Sequence, residues 1–170
     1  MIIAQLLGIF GFILSIISFQ QNTHKRIVLM QLLANLCFMS HYFLLGKDTY
    51  TASLLNAIGA ARSLVYCFKD KKWASSNLWI VGFSILCVIV SIFTWVSPLS
   101  ILPTVAMVLT TIAFGIKNPK LVRRVAFPSS PLWLIYNLVN GSVGGALTEI
   151  FNMVSIFIGF LRFDRKKKEA

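Results

Sequence analysis

Apolar residues run along this chain in blocks of about 18 to 20, each long enough to cross a ~30 Å hydrocarbon core at 1.5 Å per residue of helix. Short polar interruptions separate the blocks, and none shows the period-two alternation of a membrane strand. Seven blocks fall at 2–19, 26–46, 51–68, 78–95, 100–116, 124–141 and 144–161. Backbone polar groups in hydrocarbon must bond within the chain itself, so the pattern predicts an all-α, polytopic membrane protein with seven transmembrane helices. The first block has no basic residue before it, the first being Lys25, and no small-residue cleavage site follows it. It is expected to persist as a span rather than leave as a signal peptide.

Composition strengthens this reading. The 170 residues are 57% hydrophobic and 12% charged, a balance outside the range of soluble domains. The net charge of +11 is a matter of topology, because the basic residues lie between blocks and not on one aromatic-studded face, and nucleic acid is not an expected partner. Lys25 and Arg26, Lys69, Lys71 and Lys72, Lys117, Lys120, Arg123 and Arg124, and Arg162, Arg165, Lys166, Lys167 and Lys168 share one side; the other has Lys47 alone. The positive-inside rule then sets the N-terminus outside and the C-terminus in the cytoplasm. The tail "RFDRKKK" serves as a topology anchor or a contact for anionic lipid. Cys37, Cys67 and Cys87 lie within apolar blocks and support neither a disulfide framework nor a metal site.

The blocks repeat. The first three superpose on the last three at an offset of 95, with Phe19 on Phe114, Gly46 on Gly141 and His41 on Tyr136. The fourth, with Trp79 and Trp95 near its ends, stands apart as a linker. A 3+1+3 arrangement of parallel repeats follows, as in SWEET transporters. Residues 1–68 form the first triplet, 69–99 the linker region, 100–161 the second triplet and 162–170 a basic tail, all one membrane domain. Polar residues carry the case for the repeat: Ser53, Asn56, Ala60 and Ser63 form one small-polar helix face, and Thr148, Asn152, Ser155 and Gly159 another. Asn56 and Asn152 thus come to about mid-membrane, in one of two roles. A buried asparagine can bond a neighbouring helix, for roughly 1 kcal/mol. Alternatively, a carboxamide, both donor and acceptor, can receive a hydroxylated solute.

Glu149 is the second polar feature. Arg62 lies too far along the bilayer normal to pair with it, by about 13 Å at 1.5 Å per residue, and is expected to snorkel to the cytoplasmic headgroups. His41 shares the depth of Glu149, with Tyr136, Asn137 and Asn140 in the same outer layer. Glu149, His41 and Tyr136 therefore form either a proton-linked layer or a polar layer in which a protonated Glu149 bonds a neighbouring helix. "FPSSP" at 127–131 should bend or unwind the sixth span, since Pro128 and Pro131 each lack a donor, with Ser129 and Ser130 able to take up freed carbonyls. This is the candidate hinge. In the first triplet the equivalent stretch carries Gln31 and Asn35 instead, which suggests one half that flexes and one that binds.

"FLLG" at 43–46, "LLNAI" at 54–58, "NGSVGG" at 140–145 with Glu149 following, and "LRF" at 161–163 resemble the YgjV-type family of bacterial inner-membrane proteins over nearly the full length. More distantly the layout is similar to the PQ-loop and SWEET superfamily. That resemblance implies a sugar-binding asparagine pair, at Asn56 and Asn152 here, and a proline before glutamine in each triplet's first helix. This chain has Phe19 before Gln20 and Phe114 before Gly115 at those places. No HExxH, paired cysteine, P-loop or Ser/His/Asp constellation is present, so an enzyme is not expected, nor any cofactor or metal. The sequence reading is a carrier of a small polar, sugar-like solute working by alternating access. Its partners are that solute and the lipid bilayer, with a homo-oligomer left open. The competing reading is a non-transporting membrane scaffold or receptor.

Overall fold

A computed structural model describes residues 2–46, 49–95, 97–139 and 143–164. Lys47, Asn140, Gly141 and the tail beyond Asp164, which entered the sequence reading, lie outside the described residues. Among the described residues all regular structure is helical: α1 (Ile2–Phe19), α2 (His24–Leu45), α3 (Tyr50–Cys67), α4 (Leu78–Phe93), a 3-10 turn at Pro98–Ser100 leading into α5 (Ile101–Gly115), α6 (Pro119–Ala126), α7 (Ser129–Val139) and α8 (Val143–Gly159), which tightens into a π turn at Phe160–Asp164. Gly46 ends α2 at φ 113°, a backbone region that side chains disfavour and helix ends recruit glycine to fill.

Helices His24–Leu45, Pro98–Gly115 and Gly145–Asp164 are long and apolar enough to cross a membrane, and Ile3–Phe19 and Leu78–Phe93 are shorter apolar helices. α3 has the length but not the hydropathy, because Asn56, Arg62 and its two serines lower the mean. The sixth block is two helices and not one. Asn118 caps α6, its side chain accepting from the Lys120 amide at 3.0 Å, and Pro119 takes the first helical position, where its missing donor costs nothing. The chain then turns at Phe127 and Pro128, and Ser129 Oγ donates to the freed Ala126 carbonyl at 2.6 Å. Pro131 sits in the first turn of α7, a place that tolerates proline, so Pro128 alone marks the break.

Six helices close into a ring. α1 packs on α2 and α2 on α3; α5 packs on α7 and α7 on α8; α1 then meets α8, and α3 meets α5. Exchanging α1 with α5, α2 with α7 and α3 with α8 leaves this set of contacts unchanged. α4 lies outside the ring against α3 and α5. The outer surface is apolar, with Phe93 85% exposed and Leu78, Ile3 and Phe43 also open. The buried residues, in contrast, include Gln31, Asn35, Asn56, Arg62, Asn137 and Asn152. This inversion of a soluble domain suits a lipid solvent.

At the end of the ring that carries Lys25, Lys117 and Arg123, the basic end, an apolar plug forms from Phe19, Ile27, Val28, Tyr66, Phe114 and Ile156 with their neighbours. The Phe19 and Phe114 rings stand 6.5 Å apart, so the two positions equated by the offset of 95 touch each other. Gly159 lets α8 approach α1 here, since a Cβ on it would lie 2.5 Å from the Phe19 carbonyl oxygen. Lys69 is buried nearby with its amine 5.0 Å over the Tyr66 ring; burial first, and then Lys117, lower its pKa. A buried ion pair completes this end. Arg123 Nε and Nη2 fork the Asp164 carboxylate at 3.0 and 2.6 Å, and Nη1 donates to the Gln21 carbonyl at 3.1 Å.

Breaking that pair from one side leaves a charge buried alone. Asp164→Asn is expected to cost about 3–5 kcal/mol, read as a lowered Tm of the purified protein in detergent. Arg123→Met combined with Asp164→Leu should recover most of that loss; equal loss in both variants would show that the pair does not hold this end together.

Candidate functional site

The ring encloses a cavity of about 510 Å³, within the range of small-molecule sites. Every ring helix contributes to its wall, whereas α4 contributes none of its lining residues among those described. Asn56 from α3 and Asn152 from α8 both line it, at 8% and 7% exposure. The two small-polar faces read from the sequence are the cause: Ser53, Asn56, Ala60 and Ser63 on α3, and Thr148, Asn152 and Ser155 on α8, are all buried in the ring.

The two asparagines are held differently. Asn56 Nδ2 donates to the Ala52 carbonyl of its own helix at 2.8 Å, which leaves the rest of its carboxamide to the cavity. Asn152 Oδ1 accepts from Ser15 Oγ of α1 at 3.0 Å, and its side chain also bonds Glu149 one turn away. Ser130, the second residue of α7, bonds Glu149 from the other side. Glu149 therefore sits in a web of neutral partners, and His41 does not pair with it: the ion pairs among the described residues are Lys117–Asp70 and Arg123–Asp164. His41 lines the cavity as well, but its Nδ1 bonds the Ala4 carbonyl at 2.7 Å, and its ring fills the space beside Gly8.

The wall differs from the expected one in two respects. Tyr136 is not a wall residue; it packs edge-on against Trp133, at 5.9 Å between ring centroids, and Trp133 faces the cavity in its place. Arg62 does not snorkel. It is 1% exposed, its Nη1 donates to the Met107 carbonyl at 2.9 Å and to Thr111 Oγ1, and its guanidinium lies 5.3 Å from the Phe114 ring centroid. The snorkelling argument considered depth along α3 alone, whereas the position faces α5 across the ring and finds acceptors there.

Sequence reasoning missed Ser15 and Ser18 as members of the polar web, and the bonds that Gln20, Gln31 and Asn35 make within it. Gln31 Nε2 donates to Ser18 Oγ at 2.7 Å, Ser18 Oγ to the Ser15 carbonyl at 2.6 Å, and Asn35 Nδ2 to the Gln31 carbonyl at 2.7 Å. Farther along, Gln20 Nε2 reaches the Ser155 carbonyl at 2.6 Å, and Ser155 Oγ returns a bond to the Ile16 carbonyl at 2.7 Å. The signal was available, because Ser15 and Ser18 are three apart in an otherwise apolar block and so share a helix face. Gln31 and Asn35 stand one turn apart on α2 in the same way.

Asn35 is packed tightly against α3. A Cβ on Gly59 would lie 2.6 Å from Asn35 Oδ1, and that amide is already tied to Gln31. Gly59→Ala is thus expected to destabilise by about 1–3 kcal/mol through overpacking, measured by thermal unfolding in detergent. In an Asn35→Ala background the same change should cost far less; an unchanged penalty there would separate the glycine from the amide.

Comparison with known proteins places these features in a family. Residues 2–167 match Imp-YgjV, described as a bacterial inner membrane protein. Over 169 residues the chain is 25% identical to the inner membrane protein YgjV of Escherichia coli (strain K12), covering 99% of this chain and 88% of that one. No solved structure matches it. With the match running almost end to end and the apolar exterior of a protein solvated by lipid, this chain belongs to the Imp-YgjV family of bacterial inner membrane proteins.

Proposed function

We propose that the protein carries a small polar solute across the bacterial inner membrane by alternating access. The observation that carries this reading is the polar cavity inside the ring, walled by amides from both triplets in a molecule whose outer face is apolar. A scaffold whose polar groups served packing alone would fill that space with side chains. Asn56 and Asn152 are assigned as the solute's hydrogen-bonding partners, with Gln31 and Asn35 extending the same wall. Carboxamides suit hydroxylated solutes because they donate and accept from one planar group.

In this reading α1–α3 and α5–α8, the latter with its second member split into α6 and α7, are parallel repeats joined by α4, and the chain crosses the bilayer seven times. The exchange symmetry of the ring contacts and the Phe19–Phe114 contact at its centre support the repeat. Charge supports the orientation, with the N-terminus outside and the basic end in the cytoplasm. The cavity is then shut on the cytoplasmic side by the phenylalanine pair, and rocking of the triplets would part these rings. The break at Pro128 is a place where the second triplet can bend.

Proteoliposome uptake across a panel of polyols, sugars and hydroxy acids tests the carrier. Asn56→Ala and Asn152→Ala are expected to lower uptake of the accepted solute about five- to thirtyfold, the loss of one or two hydrogen bonds near 1 kcal/mol each; full uptake by both variants would remove the site. Single cysteines at 56 and 152, in a background without Cys37, Cys67 and Cys87, should react with a small water-soluble thiol reagent. Inertness at both would point to a closed scaffold core. For orientation, a cysteine added after Ala170 should be protected from an impermeant maleimide in right-side-out vesicles and labelled in inverted ones. The reverse pattern would overturn the assigned topology.

A further inference from the structure

Two arginines are buried to the same degree in this molecule, and they differ in one respect. Arg123 has all three nitrogens engaged, with Nε and Nη2 forking the Asp164 carboxylate and Nη1 on the Gln21 carbonyl. Arg62 makes both of its hydrogen bonds from Nη1, to Met107 and Thr111 on α5. Its Nε is buried without a partner, so the Nε–Nη2 edge, the one that Arg123 turns to a carboxylate, holds no acceptor among the described residues.

Arg62 also lines the central cavity, beside Phe114 and nearer the basic end of α3 than Asn56. Six residues separate Asn56 from Arg62, about 9 Å along the helix. Among the described residues the one acidic side chain on the cavity wall, Glu149, lies on α8 with Ser130 and Asn152 as its partners, and none neutralises the guanidinium. A buried cation without a counter-charge is held at considerable cost, and Nη1, fixed by two acceptors on α5, aims the group rather than neutralising it.

We infer that Arg62 is the anion-recognising residue of the cavity and that the solute is a small hydroxylated carboxylate. Its carboxylate forks the open edge of Arg62, and its hydroxyl-bearing body lies along Asn56 and Asn35 toward Asn152. Arginine suits this task because its planar fork matches a carboxylate in two parallel hydrogen bonds, which a lysine ammonium cannot do. The charge places the anionic head at the Phe19–Phe114 end and the neutral hydroxyls toward Glu149, which would repel a second anion. This inference rests on the carrier reading of the cavity and names the solute's class.

The test compares matched pairs in which a terminal carboxylate replaces a hydroxymethyl group, gluconate against sorbitol and glycerate against glycerol, at constant ionic strength. Binding to the purified protein in detergent is followed by calorimetry, and uptake by the same compounds in proteoliposomes. The expected result is at least about tenfold tighter binding of the carboxylate in each pair, as for a charge-assisted bidentate contact. Arg62→Gln should remove that preference while Asn152-dependent binding of the neutral polyol persists. Arg62→Lys, which keeps the charge and loses the fork, should retain a preference reduced about tenfold. The wild-type comparison needs no variant, so a misfolded Arg62→Gln leaves the test intact. Equal binding within both pairs, or a carboxylate preference unchanged in Arg62→Gln, overturns the inference and leaves the carrier standing. Neither binding nor uptake of any member of the wider panel overturns both.

Discussion

A polar side chain inside hydrocarbon has only the rest of the protein to bond, and the architecture of this chain follows from how that requirement is met between α1 and α8. Ser15 reaches Asn152, Gln20 reaches Ser155, and Ser155 returns a bond to the backbone of α1. This seam joins the first helix of one triplet to the last helix of the other. Hydrophobic association cannot do that work, because lipid tails solvate leucine and phenylalanine as well as a neighbouring helix does. Close approach supplies the rest: without a side chain at Gly159, α8 lies against the Phe19 carbonyl, and short hydroxyls at 15 and 155 reach across the gap. The seam continues through Ser18 to Gln31 of α2, and so fixes the amides that wall the cavity.

The helix positions were legible in the sequence because a span is dictated by a single variable, the length of an apolar run. α1, α2, α3, α4, α5 and α8 begin and end within a few residues of their blocks. The small-polar faces of α3 and α8 were legible for a similar reason, since residues three and four apart must share a side of a helix. The split of the sixth block was legible as a bend at the prolines, though not as two separate helices. What pattern alone could not show was partnership across the ring. Arg62 was assigned to the headgroups from its depth along α3, but Met107 and Thr111 of α5, 45 and 49 residues away in sequence, determine where it points. Of the residues grouped with Glu149 by depth, Asn137 lines the cavity, and Trp133, which the pattern did not single out, lines it as well. Depth is a one-dimensional quantity read from residue counting, whereas facing depends on the neighbours chosen in the fold.

The helices α2 and α7, which exchange places in the ring contacts, differ where they line the cavity. In α2 an unbroken helix presents Gln31 and Asn35, each bonded within the first triplet. In the corresponding place the chain breaks at Phe127 and Pro128, and the new helix starts with two serines. Ser129 returns to cap the carbonyl freed at Ala126, while Ser130 turns to Glu149. The break thus supplies Glu149 with a partner on α7 as well as a point of bending. One half of the wall is a fixed row of amides ending in a cation, and the other is a carboxyl whose partners sit at the free end of a short helix. The break thus lies on the Glu149 side of the wall, whereas Asn35, Asn56 and Arg62 stand on the unbroken helices α2 and α3.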